Sequence, residues 1–175
     1  RIVINTQNFT PAAIEMAVKR DSVRIARFRG SIVVQKRDLE LALIEQVIGI
    51  PNPIGDLPLQ QKRQIAYHEA GHALVSSVLP NADPVHKISI ISRGRAAGYT
   101  LKLPFEDKKM QSRKQFLDDI AATLGGYVAE EMLFDDVTTG PSNDLMVITA
   151  LARDMVVRYG MSEKLGPVAF GERQL

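Results

Sequence analysis

Hydrophobic positions recur mostly at helical spacing along this 175-residue chain. Thr10-Pro11 has the form of a helix start, a hydroxyl N-cap before a proline at the first helical position. Ile14, Ala17, Val18, Ile25 and Phe28 then keep close to the helical period, which predicts a helix with those residues inward and Gly30 as its stop. A second helix is predicted over 36–48, with Leu39, Leu43, Ile44 and Val47 inward and Gly49 behind it. Residues 1–9 read as extended or irregular. Pro51, Pro53, Gly55 and Pro58 crowd a stretch where regular structure cannot persist. That makes 51–58 a linker between a helical segment over 1–50 and a domain over 59–175. The next helix is predicted from Pro58 to Leu79, with Asp56 as candidate cap and Pro80 as its stop. Ile65, Leu74, Val75 and Val78 supply its expected buried stripe.

The period changes after Pro80. Residues 86–92 and 98–103 carry β-branched or alternating residues (Ile88, Ile90; Tyr99, Leu101, Leu103), with a turn over 93–97 between them. This predicts an antiparallel two-stranded ribbon. A lone hairpin is marginal in water, so it must lean on helices. Residues 105–111 are polar and read as irregular. Ser112 and Gln115 have capping-box spacing and open a helix bearing Phe116, Leu117, Ile120, Leu124, Val128 and Leu133. Gly125-Gly126 interrupts it, as a kink or as a close contact. A turn-rich loop over 135–141 precedes a last helix from Ser142 or Asn143 to Tyr159. Its apolar positions are Leu145, Ile148, Leu151, Ala152, Met155 and Val156, with Gly160 as the stop. The expected fold class is mainly α, a helical array with a small two-stranded antiparallel β-ribbon packed beside the helix over 58–79.

Composition narrows the function. Hydrophobic content of 45% and charged content of 24% suit a globular chain long enough to bury a core. The 22 basic and 20 acidic residues leave a formal charge of +2, too small to imply nucleic acid, and no Lys/Arg stripe interleaves with aromatics, so no nucleic-acid partner is expected. The basic residues Lys19, Arg20, Arg24, Arg27 and Arg29 form a solvated surface or a subunit contact. Without cysteine, any zinc must be held by histidine and carboxylate, and the composition fits a reducing compartment. No apolar run reaches the roughly 18 residues of a membrane span, and no signal peptide is visible. The chain starts at Arg1 and stops at Leu175 just past an apolar stretch, so a piece of a longer protein is expected.

The chemistry concentrates in Gln64-Ile65-Ala66-Tyr67-His68-Glu69-Ala70-Gly71-His72-Ala73-Leu74. His68 and His72 are four residues apart, so on a helix they stand one turn above each other on one face. Two neutral imidazoles so placed hold one Zn²⁺ at roughly 2.0–2.1 Å per bond. Glu69 points to the same cleft as a base for water, which is the mechanical content of H-E-x-x-H. Two of the three histidines of the chain fall here, in a helical setting with apolar flanks. Gly71 between them clears room for a neighbouring backbone or for the metal.

A catalytic zinc needs a third protein ligand. The H-E-x-x-H-x-x-G-x-x-H pattern is excluded, because Val75 and Val78 occupy the required places. His86 qualifies by residue type alone. Glu130 and Glu131 lie on the helix after the double glycine. Asp144 begins the last helix, where acids also serve as caps and dipole partners. Spacing does not choose among these acids.

Further motifs follow in order: Asp83-Pro84-Val85-His86-Lys87-Ile88, Arg93-Gly94-Arg95-Ala96-Ala97-Gly98, Ala129-Glu130-Glu131, Thr139-Gly140-Pro141-Ser142-Asn143-Asp144-Leu145, and Tyr159-Gly160-Met161-Ser162-Glu163-Lys164-Leu165-Gly166. With the histidine motif they resemble the peptidase domain of the FtsH family, membrane-anchored ATP-dependent zinc metalloproteases. The resemblance covers roughly 60–170. It implies one Zn²⁺ per chain on His68, His72 and Asp144, and Glu69 as the catalytic base of peptide-bond hydrolysis. Glu130 is then a support beside the site or the alternative ligand. The ribbon edge at Gly98, Tyr99, Thr100 and Leu101 is expected to hold an extended polypeptide substrate by strand addition.

Residues 8–49 resemble, more loosely, the helical lid that ends an AAA ATPase module. Phe9-Thr10-Pro11-Ala12-Ala13-Ile14 departs from the usual aromatic-Ser/Thr-Gly-Ala-Asp-Leu opening of that lid. No G-x-x-x-x-G-K-[ST] occurs in the chain, so ATP is expected only in the full-length protein. The family's membrane helices, and the helices usually found beyond the Leu-Gly-Pro segment, lie outside this sequence. The resemblance implies a homohexamer that threads membrane or soluble proteins into its protease ring. It implies a membrane anchor too, with this domain on the cytoplasmic side or in an organellar matrix or stroma. Two rival readings stand beside it. One is a non-catalytic oligomerisation module whose metal site is vestigial, or structural and closed by four protein ligands. The other is a zinc hydrolase acting on a small molecule.

Overall fold

The computed structural model describes residues 9–51, 57–93, 97–102 and 110–170. The expected irregular start over 1–8, Asp56 as a cap, the linker over 52–56, the ribbon turn at 94–96, Leu103 and the polar stretch 105–109 lie outside the described residues. The chain divides into two compact units, Arg1–Gly55 with Ile91–Ala97 and Asp56–Ile90 with Gly98–Leu175. Among the described residues the architecture is mainly α, with one two-stranded antiparallel sheet.

In the first unit, α1 (Pro11–Met16) passes through a π-helical segment (Ala17–Asp21) into α2 (Ser22–Phe28), and α3 (Lys36–Ile48) follows. Thr10 Oγ1 accepts the Ala13 N–H at 3.2 Å, with Pro11 opening the helix. The wider π turn shifts the phase of the buried stripe. Ala17, Ser22 and Ala26 face inward, whereas Val18 and Phe28, expected inside, are exposed, Phe28 to 90%. On α3 the core forms across the middle of the helix, at Ala42, Leu43 and Ile44, and Val47 in the last turn is exposed instead of buried. Ala17, Ala42 and Leu43 make the core, with Phe9, Ile25 and Leu39 packed against it.

A buried carboxylate joins α2 to α3. Arg29 donates from Nη2 to Asp38 Oδ2 at 2.6 Å and from Nε to Oδ1 at 3.2 Å, while the Gln35 N–H donates to Oδ2 at 2.7 Å. Arg29, and after it the Gln35 N–H, hold the Asp38 carboxyl below the usual carboxylate range. A depressed acid contributes stability above the ordinary aspartate pKa of about 4 and loses it as pH falls toward the folded value. Asp38→Asn is therefore expected to lower the Tm at pH 7, and the gap to wild type is expected to close below about pH 4. Circular-dichroism melts across pH check this, and a gap indifferent to pH contradicts it.

The second unit comprises α4 (Leu59–Val78), β1 (Val85–Ser89), β2 (Tyr99–Lys102), α5 (Arg113–Phe134) and α6 (Ser142–Val157). β1 and β2 pair antiparallel, Ile88 opposite Thr100 and Ser89 opposite Tyr99, with an irregularity between Val85 and Lys87 that leaves His86 as the extra residue. Both strands lean on α4, α4 packs along α5, and α5 packs on α6.

The capping box is formed: Ser112 Oγ accepts the Gln115 N–H at 3.3 Å, and Gln115 Oε1 accepts the Ser112 N–H at 2.7 Å. Gly125-Gly126 does not break α5, which runs unbroken from Arg113 to Phe134. It is a close contact. A methyl on Gly71 would lie 2.2 Å from the Gly125 carbonyl oxygen, and one on Gly125 would lie 2.6 Å from that of Gly71. The two helices therefore cross backbone to backbone.

The buried stripe of α4 differs from the apolar expectation. Glu69, His72, Ala73 and Ser76 are buried, while Leu74 (68% exposed) and Val78 face outward. The same holds on α5, where Leu117, Val128 and Leu133 are exposed and Phe116, Ala122, the two glycines and Glu130 are buried. Ile88 and Ile90 on the ribbon, and Leu145 and Ala152 on α6, are likewise exposed, with Tyr99 and Met155 buried. Facing helices here turn polar residues and glycine toward each other, because their shared interface is the site. Among the described residues no helix is long and apolar enough to cross a membrane.

Candidate metal centre

Three side chains from two helices meet beside the glycine crossing. One turn of α4 brings His68 Nε2 and His72 Nε2 to 2.9 Å of each other. Asp144, in the first turn of α6 after the buried Pro141, places Oδ2 at 3.2 Å from His68 Nε2 and 3.4 Å from His72 Nε2. A tetrahedral ion with bonds of roughly 2.0–2.1 Å spaces its ligand atoms about 3.3 Å apart. The two edges to Asp144 match that spacing and the His68–His72 edge is shorter, while the nitrogen and carboxylate donors are of the type zinc takes.

The outer nitrogens of both rings are engaged. His68 Nδ1 is 2.8 Å from Glu130 Oε1, and His72 Nδ1 is 3.0 Å from the Ala122 carbonyl oxygen. Each is an acceptor, so each ring donates its Nδ1–H and keeps the Nε2 lone pair for a metal. The Gly126 N–H also points at His72 Nδ1 from 3.3 Å, but a protonated nitrogen accepts nothing, so the Ala122 bond is the one made. Glu130 is buried, and its Oε2 accepts both the Thr138 N–H at 3.0 Å and the Thr138 hydroxyl at 2.8 Å. It backs His68 and stands outside the triangle. Gly126 is the floor: a methyl there would lie 2.6 Å from His68 Cε1 and from His72 Nε2.

Glu69 is buried beside the histidines. Thr100 Oγ1 on β2 donates to its Oε2 at 2.7 Å. Gly98 faces its other oxygen, where a methyl would stand 2.9 Å from Oε1 and 2.7 Å from Ile65 Cγ2. Of the other ribbon positions, Tyr99 is buried and Leu101 half-buried. His86 is exposed at the strand irregularity, and Glu131 is exposed on α5; neither belongs to the triangle.

The charges are interlocked. Burial pushes the Glu69 carboxyl up, and neither the Thr100 bond nor the two histidines bring it back. Without a metal, burial works to lower His68, but bonds to Asp144 and Glu130 and the charge of Glu69 outweigh it, so His68 then holds its proton above the ordinary histidine value. Burial works to raise Asp144, yet the two histidines outweigh it and hold that carboxyl well below the usual range.

Sequence reasoning missed Thr138 and the Ala122 carbonyl. A backbone acceptor leaves no signature in residue type, and Thr138 lies in a loop whose path the sequence does not fix. Gly126 was visible as half of a double glycine, without its purpose.

A model of peptidase family M41 matches residues 57–175. Among curated proteins, an ATP-dependent zinc metalloprotease FtsH of Thermotoga maritima is 46% identical over 174 residues, covering 99% of this chain and 28% of the relative. FtsH 3 of Petrotoga mobilis is 46% identical over 166 residues (94% and 26%), and FtsH 1 of Sphaerobacter thermophilus is 44% identical over 169 (97% and 26%). The chain spans about a quarter of the length of these relatives.

Proposed function

The chain belongs to peptidase family M41, and from that premise we propose that it is the zinc-dependent endopeptidase portion of a longer ATP-dependent protease. The observation that carries this reading is the triangle of His68 Nε2, His72 Nε2 and Asp144 Oδ2 beside the buried Glu69. On this reading the three side chains hold one Zn²⁺. When bound, the metal acidifies a water toward a pKa of about 7 and polarises the scissile carbonyl.

The chain's own groups do the rest. Glu130 and the Ala122 carbonyl keep both imidazoles in the tautomer that offers Nε2. Glu69 takes the proton of the attacking water on its carboxylate and passes it to the leaving amine as the C–N bond breaks. On this reading an extended polypeptide adds along the backbone of Gly98 and of Tyr99, Thr100 and Leu101 on β2, through main-chain bonds.

The whole protein, on this reading, couples ATP hydrolysis in a preceding module to delivery of polypeptides, with residues 1–50 ending that module as part of its lid. Relatives named ATP-dependent zinc metalloproteases support the coupling. The family resemblance supports a homohexamer and a membrane anchor, with this portion on the cytoplasmic side or its organellar equivalent.

The test is cleavage of a labelled unfolded polypeptide by the full-length protein. Chelation is expected to stop cleavage and added zinc to restore it. Cleavage that persists after metal removal contradicts the reading.

A further inference from the structure

We infer that Thr100 is the positioning residue for Glu69, its hydroxyl fixing the carboxylate that the proposed reaction uses. The inference rests on the peptidase reading for its consequence in catalysis, and on geometry alone for the contact itself. A glutamate on a helix reaches its target through three rotatable bonds, and holding it in one rotamer is an entropic cost that something must offset. In this site α4 carries Glu69, but the restraint comes from β2. The Thr100 hydroxyl donates to Oε2 at 2.7 Å, and Gly98, two residues earlier on the same strand, lies against Oε1.

The strand register makes this contact stiff. Thr100 stands opposite Ile88 and is flanked by Tyr99, which is opposite Ser89 and buried. The ladder fixes the Thr100 backbone and so the face from which its side chain leaves the strand, and β-branching limits the rotamers open to the hydroxyl. Thr100 Oγ1 also lies 3.1 Å from the Glu69 carbonyl oxygen, so the hydroxyl sits over both ends of the residue it holds. One hydroxyl carries one hydrogen, and the shorter, charge-assisted contact to the carboxylate takes it. The strand that would pair with the substrate is thus the strand that aims the base, so docking and proton transfer share one rigid element.

The experiment compares wild type, Thr100→Val and Thr100→Ser in the full-length, zinc-loaded protein. Valine keeps the β-branched shape and removes the hydroxyl; serine keeps the hydroxyl. Thr100→Val is expected to lower kcat about tenfold or more, with KM within about twofold, as expected for a group acting only as the reaction proceeds. Thr100→Ser is expected to recover most of that loss. Crystal structures give a readout independent of turnover: the Glu69 carboxylate is expected in one rotamer in wild type and Thr100→Ser, and displaced or split in Thr100→Val.

The inference is overturned by an unmoved Glu69 in Thr100→Val, by wild-type kcat in that variant, by a loss confined to KM, or by an equal loss in Thr100→Ser. If wild type fails to cleave while the carboxylate still shifts in Thr100→Val, the peptidase reading falls and the positioning contact stands.

Discussion

Glu69→Gln is expected to abolish peptide cleavage while leaving one zinc per chain bound. Glutamine has the shape of glutamate and can still accept the Thr100 hydroxyl bond that Glu69 Oε2 accepts. It cannot take a proton near neutral pH. General acid–base groups contribute roughly a hundred- to ten-thousand-fold to rate, and Glu69 is proposed to act twice, on the water and on the leaving amine. The loss should therefore lie toward the upper end of that range, in kcat. Zinc should remain because Glu69 is not one of the three clustered donors. Metal analysis by mass spectrometry alongside steady-state kinetics checks both halves. Full turnover in a zinc-loaded Glu69→Gln protein removes Glu69 from the mechanism, and loss of zinc makes it a ligand instead of a base.

Asp144→Ala is expected to fail earlier, at binding. It leaves two imidazoles from one helix and removes the only donor of the triangle that comes from another. Glu130 gives an internal comparison, because it touches His68 Nδ1 and lies outside the triangle. Losing an outer partner of this kind costs roughly 10–100-fold in metal affinity or activity. Glu130→Gln should fall in that range and Asp144→Ala should exceed it, with no measurable cleavage. Zinc competition against a fluorescent chelator measures both. If Glu130→Gln loses zinc more completely than Asp144→Ala, the assignment of the third ligand is reversed.

How much of this was legible in the sequence depended on how local each feature is. His68, Glu69 and His72 lie within two turns of one helix, so their shared face follows from spacing. Asp144 arrives from α6 through the packing of α4, α5 and α6, which no periodicity encodes; spacing left it level with Glu130, and only the resemblance to a family separated them. The fold class was readable, as were the Thr10 and Ser112 caps, because capping is written within four residues. The buried faces were read less well. Leu74 and Val78 were expected inside on hydrophobicity, but α4 turns its histidines and Glu69 inward, and the apolar residues take the outer side. Phe28 failed for another reason: the π-helical turn over Ala17–Asp21 shifts the phase, and nothing in the residue types announces it. The hydroxyl of Thr100 on Glu69 joins a strand to a helix, and residue type marked that strand only as an edge for substrate.

The most direct measurement is an anomalous-difference map at the zinc edge from crystals of the zinc-loaded protein. One peak per chain is predicted, at roughly 2.0–2.2 Å from His68 Nε2, His72 Nε2 and an Asp144 oxygen, with water as the remaining ligand. A peak bound by Glu130 in place of Asp144, a metal closed off by four protein ligands, or no peak between the two histidines contradicts the account.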